Sequence, residues 1–117
     1  MAKKRPDALS GKTEKITTGC GTLYLIINKD EETQIPCEFF PVLGKSGSCA
    51  RSLLELIGKL LSVLAQNLSK EDFIKLLKKD IRGINCGQDF RIGDKRYGSC
   101  VDKIAHKVLI ELKEESE

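Results

Sequence analysis

The apolar segments of the chain differ in length along the sequence, and the first two are short. Leu23–Ile27 is a partly β-branched apolar run, and Ile35–Leu43 is a second one. Runs of this length and composition are typical of strands. The segment between them, Asn28–Gln34, is polar and acidic and favours a turn. We therefore expect the two strands to form a hairpin.

Three later segments repeat apolar residues at helical spacing. The first helix is interrupted by Gly58, and because glycine there costs up to about 1 kcal/mol relative to alanine, we expect close packing against another element at that point. Capping sequences beginning at Ser69 and Ser99 open the second and third helices. The predicted apolar faces are Leu53, Ile57, Leu60, Leu61, Leu64 and Leu68 in the first helix, Phe73, Leu76, Leu77 and Ile81 in the second, and Val101, Ile104, Ala105, Val108, Leu109 and Leu112 in the third.

The order of these elements, strands first and helices afterwards, predicts an α+β fold. We expect an N-terminal β-hairpin or small antiparallel sheet packed on about three helices. Residues 83–98 are irregular, with Gly93-Asp94 as the tip of a small hairpin. The predicted organisation is a basic flexible tail over residues 1–15, one α+β domain over residues 16–113, and a frayed acidic end over residues 114–117.

Composition narrows the functional classes. The 117 residues include 40% hydrophobic and 32% charged residues, as in ordinary globular domains, and a net charge of +3 is too small to indicate nucleic-acid binding by itself. No apolar run approaches the roughly 20 residues of a membrane span. The basic N-terminus is not followed by the apolar region of a signal peptide. We expect a cytoplasmic protein whose thiols stay reduced, which favours metal or redox roles over disulfides.

Cysteines carry the candidate chemistry. Cys20, Cys49, Cys86 and Cys100 lie in turns flanked by glycine or serine, whereas Cys37 lies in a predicted strand and is expected to be a core residue. Four thiolates are the ligand set of a closed tetrahedral zinc site. The chain has no C-x-x-C spacing, so these residues alone leave open the alternative that the cysteines are buried and inert.

Two of these cysteines, Cys49 and Cys100, stand at predicted helix starts. The partial positive charge and free N–H groups of a helix N-terminus stabilise a thiolate, which suits a metal ligand or a reactive thiol equally.

Other polar residues have simpler interpretations. His106, the only histidine, is expected on the polar surface of the last helix, and Asp102 is explained as part of a helix cap. The basic run Lys3–Arg5 is expected to be a solvated tail, with phosphate contact as the alternative. Gly44-Lys45-Ser46-Gly47 has the composition of a phosphate-binding loop but lacks the spacing of G-x-x-x-x-G-K-[ST].

Several short stretches together resemble the TSCPD domain, and the resemblance covers about residues 4–112. They are Arg5-Pro6 with Leu9, Gly11 and Thr13, then Thr18-Gly19-Cys20-Gly21 with Leu23-Tyr24, then Gly44-Lys45-Ser46-Gly47 with Cys49-Ala50, then Gly83-Ile84 with Cys86, and Ser99-Cys100 with Asp102. The motif that names the family would read Thr-Ser-Cys-Pro-Asp, whereas this chain has Gly98 in place of threonine and Val101 in place of proline. Val101 lacks the preset φ angle of proline at the first helical turn but keeps the cap and the sulfur.

This resemblance implies a relative of the C-terminal domain of adenosylcobalamin-dependent ribonucleotide reductases, which also occurs as free-standing small proteins. The family's cysteine positions fall on Cys20, Cys49, Cys86 and Cys100 and not on Cys37. We therefore expect a zinc-binding accessory module without autonomous activity that docks to a reductase catalytic subunit or to nucleic acid. A ribonucleoside-diphosphate reductase label for this chain would reflect only family association. The alternatives are a thiol redox partner of the reductase and a structural domain with inert cysteines.

Overall fold

Three antiparallel strands form the main sheet. The computed structural model describes residues 5–19, 21–43 and 49–115. Strand β1 spans Gly11–Thr18, β2 spans Gly21–Lys29 and β3 spans Pro36–Leu43, in the spatial order β1-β2-β3. Direct pairs such as Leu23 with Leu43 and Ile27 with Phe39 confirm the predicted hairpin of β2 and β3.

Strand β1 was missed, because residues 11–15 were assigned to the tail. Its residues pair with β2 from Gly11 opposite Asn28 to Thr18 opposite Gly21. Lys12 and Glu14 lie on the face that also carries the buried Ile16, and their charges hid the period-two pattern. Both charges have partners on the last helix of the chain, Glu111 for Lys12 and Lys107 for Glu14.

The helices follow the sheet, and the α+β prediction is confirmed. Helix α1 spans Cys49–Asn67, α2 spans Lys70–Leu76 and continues into a π-helical segment over Leu77–Ile81, and α3 spans Cys100–Glu111. Helix α3 packs on the inner face of the sheet, where Glu111 pairs with Lys12 and Lys107 lies 3.6 Å from Glu14. The core comprises Ile16, Leu23, Leu25, Ile27, Phe39, Leu43, Leu54, Leu61, Phe73, Leu77, Ile104, Ala105, Val108, Leu109 and Leu112.

Both predicted helix caps are present. The Ser69 hydroxyl accepts a hydrogen bond from the Asp72 N–H, and the Ser99 hydroxyl accepts one from the Asp102 N–H, each at 3.1 Å. The predicted small hairpin is also present, with β4 over Phe90–Ile92 and β5 over Lys95–Tyr97. Gly93 at its tip has a φ of 65°, a conformation that glycine adopts without a steric penalty.

Helix α1 covers the outer edge of β3. The Phe39 N–H donates to the Ser62 hydroxyl at 2.9 Å, and the Gln66 side-chain amide donates to the Cys37 carbonyl at 2.9 Å. Because an uncovered strand edge exposes unpaired backbone groups, these side chains substitute for a fourth strand. The expected close contact at Gly58 is confirmed, since an added Cβ would lie 2.5 Å from Pro41 Cδ.

The predicted apolar face of α1 was partly wrong. The residues buried against β3 and the core are Leu54, Gly58, Leu61 and Ser62, whereas Leu53 and Leu60 face solvent. Apolar residues occupy two opposite sides of this helix, so periodicity identifies a helix but not the side that packs.

We predict that Gly58→Ala destabilises the protein by about 1–3 kcal/mol, because the new methyl group would also lie 2.7 Å from the Phe39 carbonyl oxygen. That strain outweighs the roughly 1 kcal/mol that alanine contributes to helix propensity. Urea unfolding measures the difference. Lys75→Ala at an exposed position of α2 is the control and should change stability by less than about 0.5 kcal/mol. Equal stability of Gly58→Ala and the wild type would show that the helix–strand contact is looser than described.

Candidate functional site

The predicted cysteine ligands lie in three different structural settings. Cys49 is the first residue of α1 and is exposed, and Cys100 is the first residue of α3 and is half-buried. Cys86 is exposed in the irregular segment before β4. Cys20 lies outside the described residues, between Gly19 and Gly21 at the end of β1 and the start of β2.

Hydrogen bonds bring three of the four cysteine-bearing segments together. The Cys100 thiol donates to the Thr18 hydroxyl at 3.2 Å, which places the start of α3 against the end of β1. The Cys86 N–H donates to the Gly98 carbonyl at 3.0 Å. Gly19 lies so close to Gln88 that a Cβ at Gly19 would collide with the Gln88 carbonyl oxygen. The β1–β2 turn, residues 86–88 and the start of α3 therefore meet at one end of the sheet.

The start of α1 lies at the same end. Helix α1 runs antiparallel to β3, since Gly58 contacts Pro41, and Gln66, further along the helix, bonds to Cys37, nearer the start of the strand. Nine residues of helix, about 13 Å, extend from Gly58 back to Cys49. That distance reaches beyond Leu43, which pairs with Leu23 at the β1–β2 turn end of the sheet.

The described side chains at this end of the sheet do not themselves form a metal site. Within residues 5–19, 21–43 and 49–115, no three or more His, Cys, Asp or Glu side chains are arranged to hold a metal ion. The assignment of Cys20, Cys49, Cys86 and Cys100 as zinc ligands therefore stays a prediction.

Cys37 does not belong to this end of the molecule. It is only partly buried, so its assignment to the core was wrong. It lies near the start of β3 and lines a groove of about 430 Å³ together with Pro36, Glu38 and Phe73. A β-bulge accounts for the difference: Glu38 pairs with Asn28 and Pro36 pairs with Lys29, so Cys37 is the extra residue of the bulged strand and departs from the alternation that buries Phe39.

The carboxylate of Asp102 joins the two segments that carry Cys86 and Cys100. Asp102 is 4% exposed, and its Oδ1 accepts hydrogen bonds from the Gly83 N–H at 2.9 Å and from Arg82 Nε at 2.6 Å. Its Oδ2 accepts one from the Gly98 N–H at 3.0 Å. The sequence suggested that Asp102 serves only in the helix cap. These bonds show that its carboxylate has a second role, which is to join Arg82 and Gly83 to Gly98.

A second contact reinforces that junction. The Ser99 hydroxyl, which caps α3, also donates to the Ile84 carbonyl at 2.6 Å. Residues 82–86 and 98–102 are thus tied by side-chain and backbone bonds that lie before Cys86 and at Cys86 itself. The sequence analysis did not identify Arg82 as a residue of this site. The sequence feature that marks Arg82 is its position directly before Gly83, a glycine with a φ of 90°.

These contacts determine the protonation of Asp102. Burial raises the pKa of a carboxyl group, but the N–H groups of Gly83 and Gly98 and the Arg82 guanidinium lower it, and the net shift is downward. Asp102 is therefore ionised at neutral pH in the folded protein.

His106 is buried, at 3% exposure, so its assignment to the surface was wrong. The Tyr97 hydroxyl lies 2.9 Å from His106 Nδ1, and Lys103 Nζ donates to the same hydroxyl at 3.1 Å. Burial, followed by the charges of Arg82 and Lys103, lowers the pKa of His106, so the imidazole is neutral. The β4–β5 hairpin covers this side of α3. The amphipathic pattern of α3 does not reveal the contact with Tyr97, because Tyr97 belongs to the hairpin and not to the helix.

The sequence suggested two segments for phosphate contact, the glycine-rich residues 44–47 and the basic run Lys3–Arg5. Residues 44–47, Lys3 and Lys4 lie outside the described residues. Arg5 is not freely solvated, because its guanidinium makes two bonds to the buried Glu38 carboxylate, at 2.5 and 3.2 Å.

Comparison with known proteins gives one match. The model of a protein family described as the TSCPD domain matches residues 1–112. No curated protein and no solved structure matches the chain. Among the helices of the described residues, none has the length and apolar character needed to span a bilayer.

We predict that Asp102→Asn destabilises the protein by about 3 kcal/mol, because the amide places an N–H₂ group against existing donors and leaves Arg82 without its buried counter-charge. Thermal melts from pH 2 to 7 measure the effect.

The pH dependence distinguishes this ion pair from a packing effect. Because the folded pKa of Asp102 is lowered from 3.8, its contribution is complete above that value and is lost as the pH falls through the folded pKa. The difference in melting temperature between wild type and variant should therefore be constant from pH 5 to 7 and narrow below about pH 3.8. A constant difference down to pH 2 would contradict the assigned role.

Proposed function

This chain belongs to the TSCPD domain family, and we propose that it is a zinc-binding accessory module of a ribonucleotide reductase rather than an enzyme in its own right. Family membership supplies the reductase connection, since such domains occur at the C-terminus of adenosylcobalamin-dependent reductases. The observation that carries the proposal is the meeting of the β1–β2 turn, residues 86–88 and the start of α3 at one end of the sheet.

The donor chemistry fits zinc. Cys20, Cys49, Cys86 and Cys100 would hold the ion, and Zn²⁺ in structural sites prefers four thiolates. Cys49 and Cys100 each begin a helix, beside backbone N–H groups that have no partner within the helix. A bound zinc ion would supply cross-linking between segments that are distant in sequence, and with it folding free energy. Asp102 and Ser99 position the segments of Cys86 and Cys100 for that role.

An accessory role is favoured because the buried polar side chains of the described residues have hydrogen-bond partners. Every buried side-chain nitrogen or oxygen in residues 5–19, 21–43 and 49–115 has a hydrogen-bond partner. Arg82 pairs with Asp102, and Arg96 pairs with Asp89. A general acid or base needs a titratable group directed at a reacting atom, whereas these groups are committed to structural bonds.

The same pairing disfavours nucleic acid as the partner. Phosphate binding needs cations that are free to replace counterions. In the described part of the chain, ion pairs with carboxylates hold Arg5, Lys12, Lys78, Arg82, Arg96 and Lys107, and across the sequence 17 acidic residues offset the 20 basic ones to a net charge of +3. We therefore favour a reductase catalytic subunit as the partner.

A thiol redox role is the second candidate, and the exposure of Cys49 and Cys86 favours it. Two thiols would transfer two electrons and two protons to a disulfide of the catalytic subunit and would themselves form a disulfide. Zinc-bound thiolates resist alkylation by iodoacetamide, whereas a redox pair reacts readily with it. Alkylation before and after chelation therefore separates the two functions.

We predict one zinc ion per chain after purification without added metal. Cys86→Ala and Cys49→Ala should each lose most of the metal and melt at a lower temperature, because the folding free energy of metal binding is lost. Both side chains are exposed, so their removal leaves little cavity and the lower melting temperature reports on the metal. Elemental analysis and calorimetry measure the two effects. Cys37→Ala is the matched control and should retain metal content, since Cys37 lies at the opposite end of β3. Equal metal content in all three variants would exclude the proposed ligand set.

We also predict that the isolated protein does not reduce ribonucleotides, with or without adenosylcobalamin. Residues 5–19, 21–43 and 49–115 form a three-stranded sheet, a small hairpin and three helices, which cannot build the large barrel that such chemistry needs. An assay of the pure protein, followed by the same assay with the catalytic subunit added, checks this. An effect should appear only in the second assay, as altered activity or assembly. Turnover by the protein alone, above that of a variant lacking all four cysteines, would identify an enzyme.

A further inference from the structure

The side of α1 that faces away from the sheet is apolar. Leu53, Leu56, Leu60 and Val63, which we call the outer leucine face, are 58%, 51%, 53% and 56% exposed. They lie directly opposite Gly58 and Ser62, which contact β3. Solvent-facing positions of a surface helix are ordinarily polar, so this face breaks the usual pattern.

The spacing of the outer leucine face indicates that its occupant is another helix. Its four residues are separated by three, four and three positions, the repeat of the a and d positions in a helix–helix seam. The seam contains no charged residue, so a second apolar helix could cover it without burying a charge.

We propose that the outer leucine face is a homodimer interface, in which α1 packs antiparallel against α1 of a second copy. The face is self-complementary in that orientation. A two-fold axis beside position 58 sets Leu53 opposite Val63 of the second copy and Leu56 opposite Leu60 of the second copy, because each pair is equidistant from the centre.

The residues flanking the face favour the antiparallel orientation. One flank is apolar, with Ile57 and Leu64 partly buried, and the other carries exposed Glu55 and Lys59. In an antiparallel pair each flank meets its own counterpart. Along the helix axis, Glu55 then lies within about 3 Å of Lys59 of the second copy, the two Lys59 side chains are also about 3 Å apart, and the two Glu55 side chains are about 9 Å apart. A parallel pair would set the charged flank against the apolar one.

The exposed area is sufficient for a reversible dimer. Four half-exposed aliphatic side chains amount to an apolar patch on the order of 400 Å² per copy, the size of the largest patch on a typical monomer, which is often functional. With its flanks, the pair would bury on the order of 1,000 Å² in total, the lower end of specific interfaces. We therefore expect a dissociation constant in the micromolar range, on the order of 10 μM.

Sedimentation equilibrium of the purified protein from 5 to 500 μM tests the proposal. The wild type should pass from monomer to dimer over this range. Leu56→Glu should weaken association at least about a hundredfold, because each dimer would bury two uncompensated carboxylates. Ile92→Glu is the matched control: Ile92 is 43% exposed in β4, away from α1, and its substitution should leave the dimer unchanged. Circular dichroism establishes that both variants are folded.

A charge exchange tests the orientation. Lys59→Glu should weaken the dimer, because four carboxylates would then line one flank, and the double variant Glu55→Lys with Lys59→Glu should restore it. A wild type that is monomeric at 500 μM, or a dimer that Leu56→Glu leaves intact, would overturn the proposal. A monomer that binds the reductase catalytic subunit, and loses that binding in Leu56→Glu, would also overturn it and assign the face to that subunit.

Discussion

The buried carboxylate of Asp102 is the contact on which the cysteine-bearing end of the molecule depends. It accepts hydrogen bonds from Gly83, Gly98 and Arg82, and so joins two segments that have little regular structure of their own. Without a counter-charge and N–H donors, a carboxylate at this depth would be strongly destabilising. The short segments around Cys86 and Cys100 have defined positions because the ionised Asp102 side chain needs its bonds to Arg82, Gly83 and Gly98.

Helix α1 connects the candidate metal end to the rest of the molecule. Its first residue, Cys49, is a proposed ligand, its middle closes the edge of β3 through Gly58 and Ser62, and its far side is the outer leucine face. Because a helix is stiff along its length, metal binding at Cys49 would fix the end of the same element that presents the proposed dimer surface. The contact with β3 explains only one of the two apolar sides of α1, and the proposed dimer would explain the other.

Local signals in the sequence predicted local structure well. The caps at Ser69 and Ser99, the tip of the small hairpin at Gly93 and the contact at Gly58 each depend on a few adjacent residues, and all were confirmed. The failures concern contacts between distant segments. Strand β1 was hidden because its inward charges have partners on α3, and His106 was placed on the surface because nothing near it in sequence indicates the Tyr97 hydroxyl. For the candidate site, the family assignment is confirmed, the cysteine ligands stay a prediction, and the role of Arg82 was not predicted.

Departures from ordinary folding rules indicate where a small domain interacts with other molecules. In the described residues the interior follows those rules, since every buried polar side-chain atom has a hydrogen-bond partner. The departures lie on the outside, in the exposed thiols of Cys49 and Cys86 and in the exposed apolar side chains of α1. An enzyme would place unusual groups in a cleft around a reacting atom. The surface position of these groups therefore supports the proposal that the chain acts by binding another molecule.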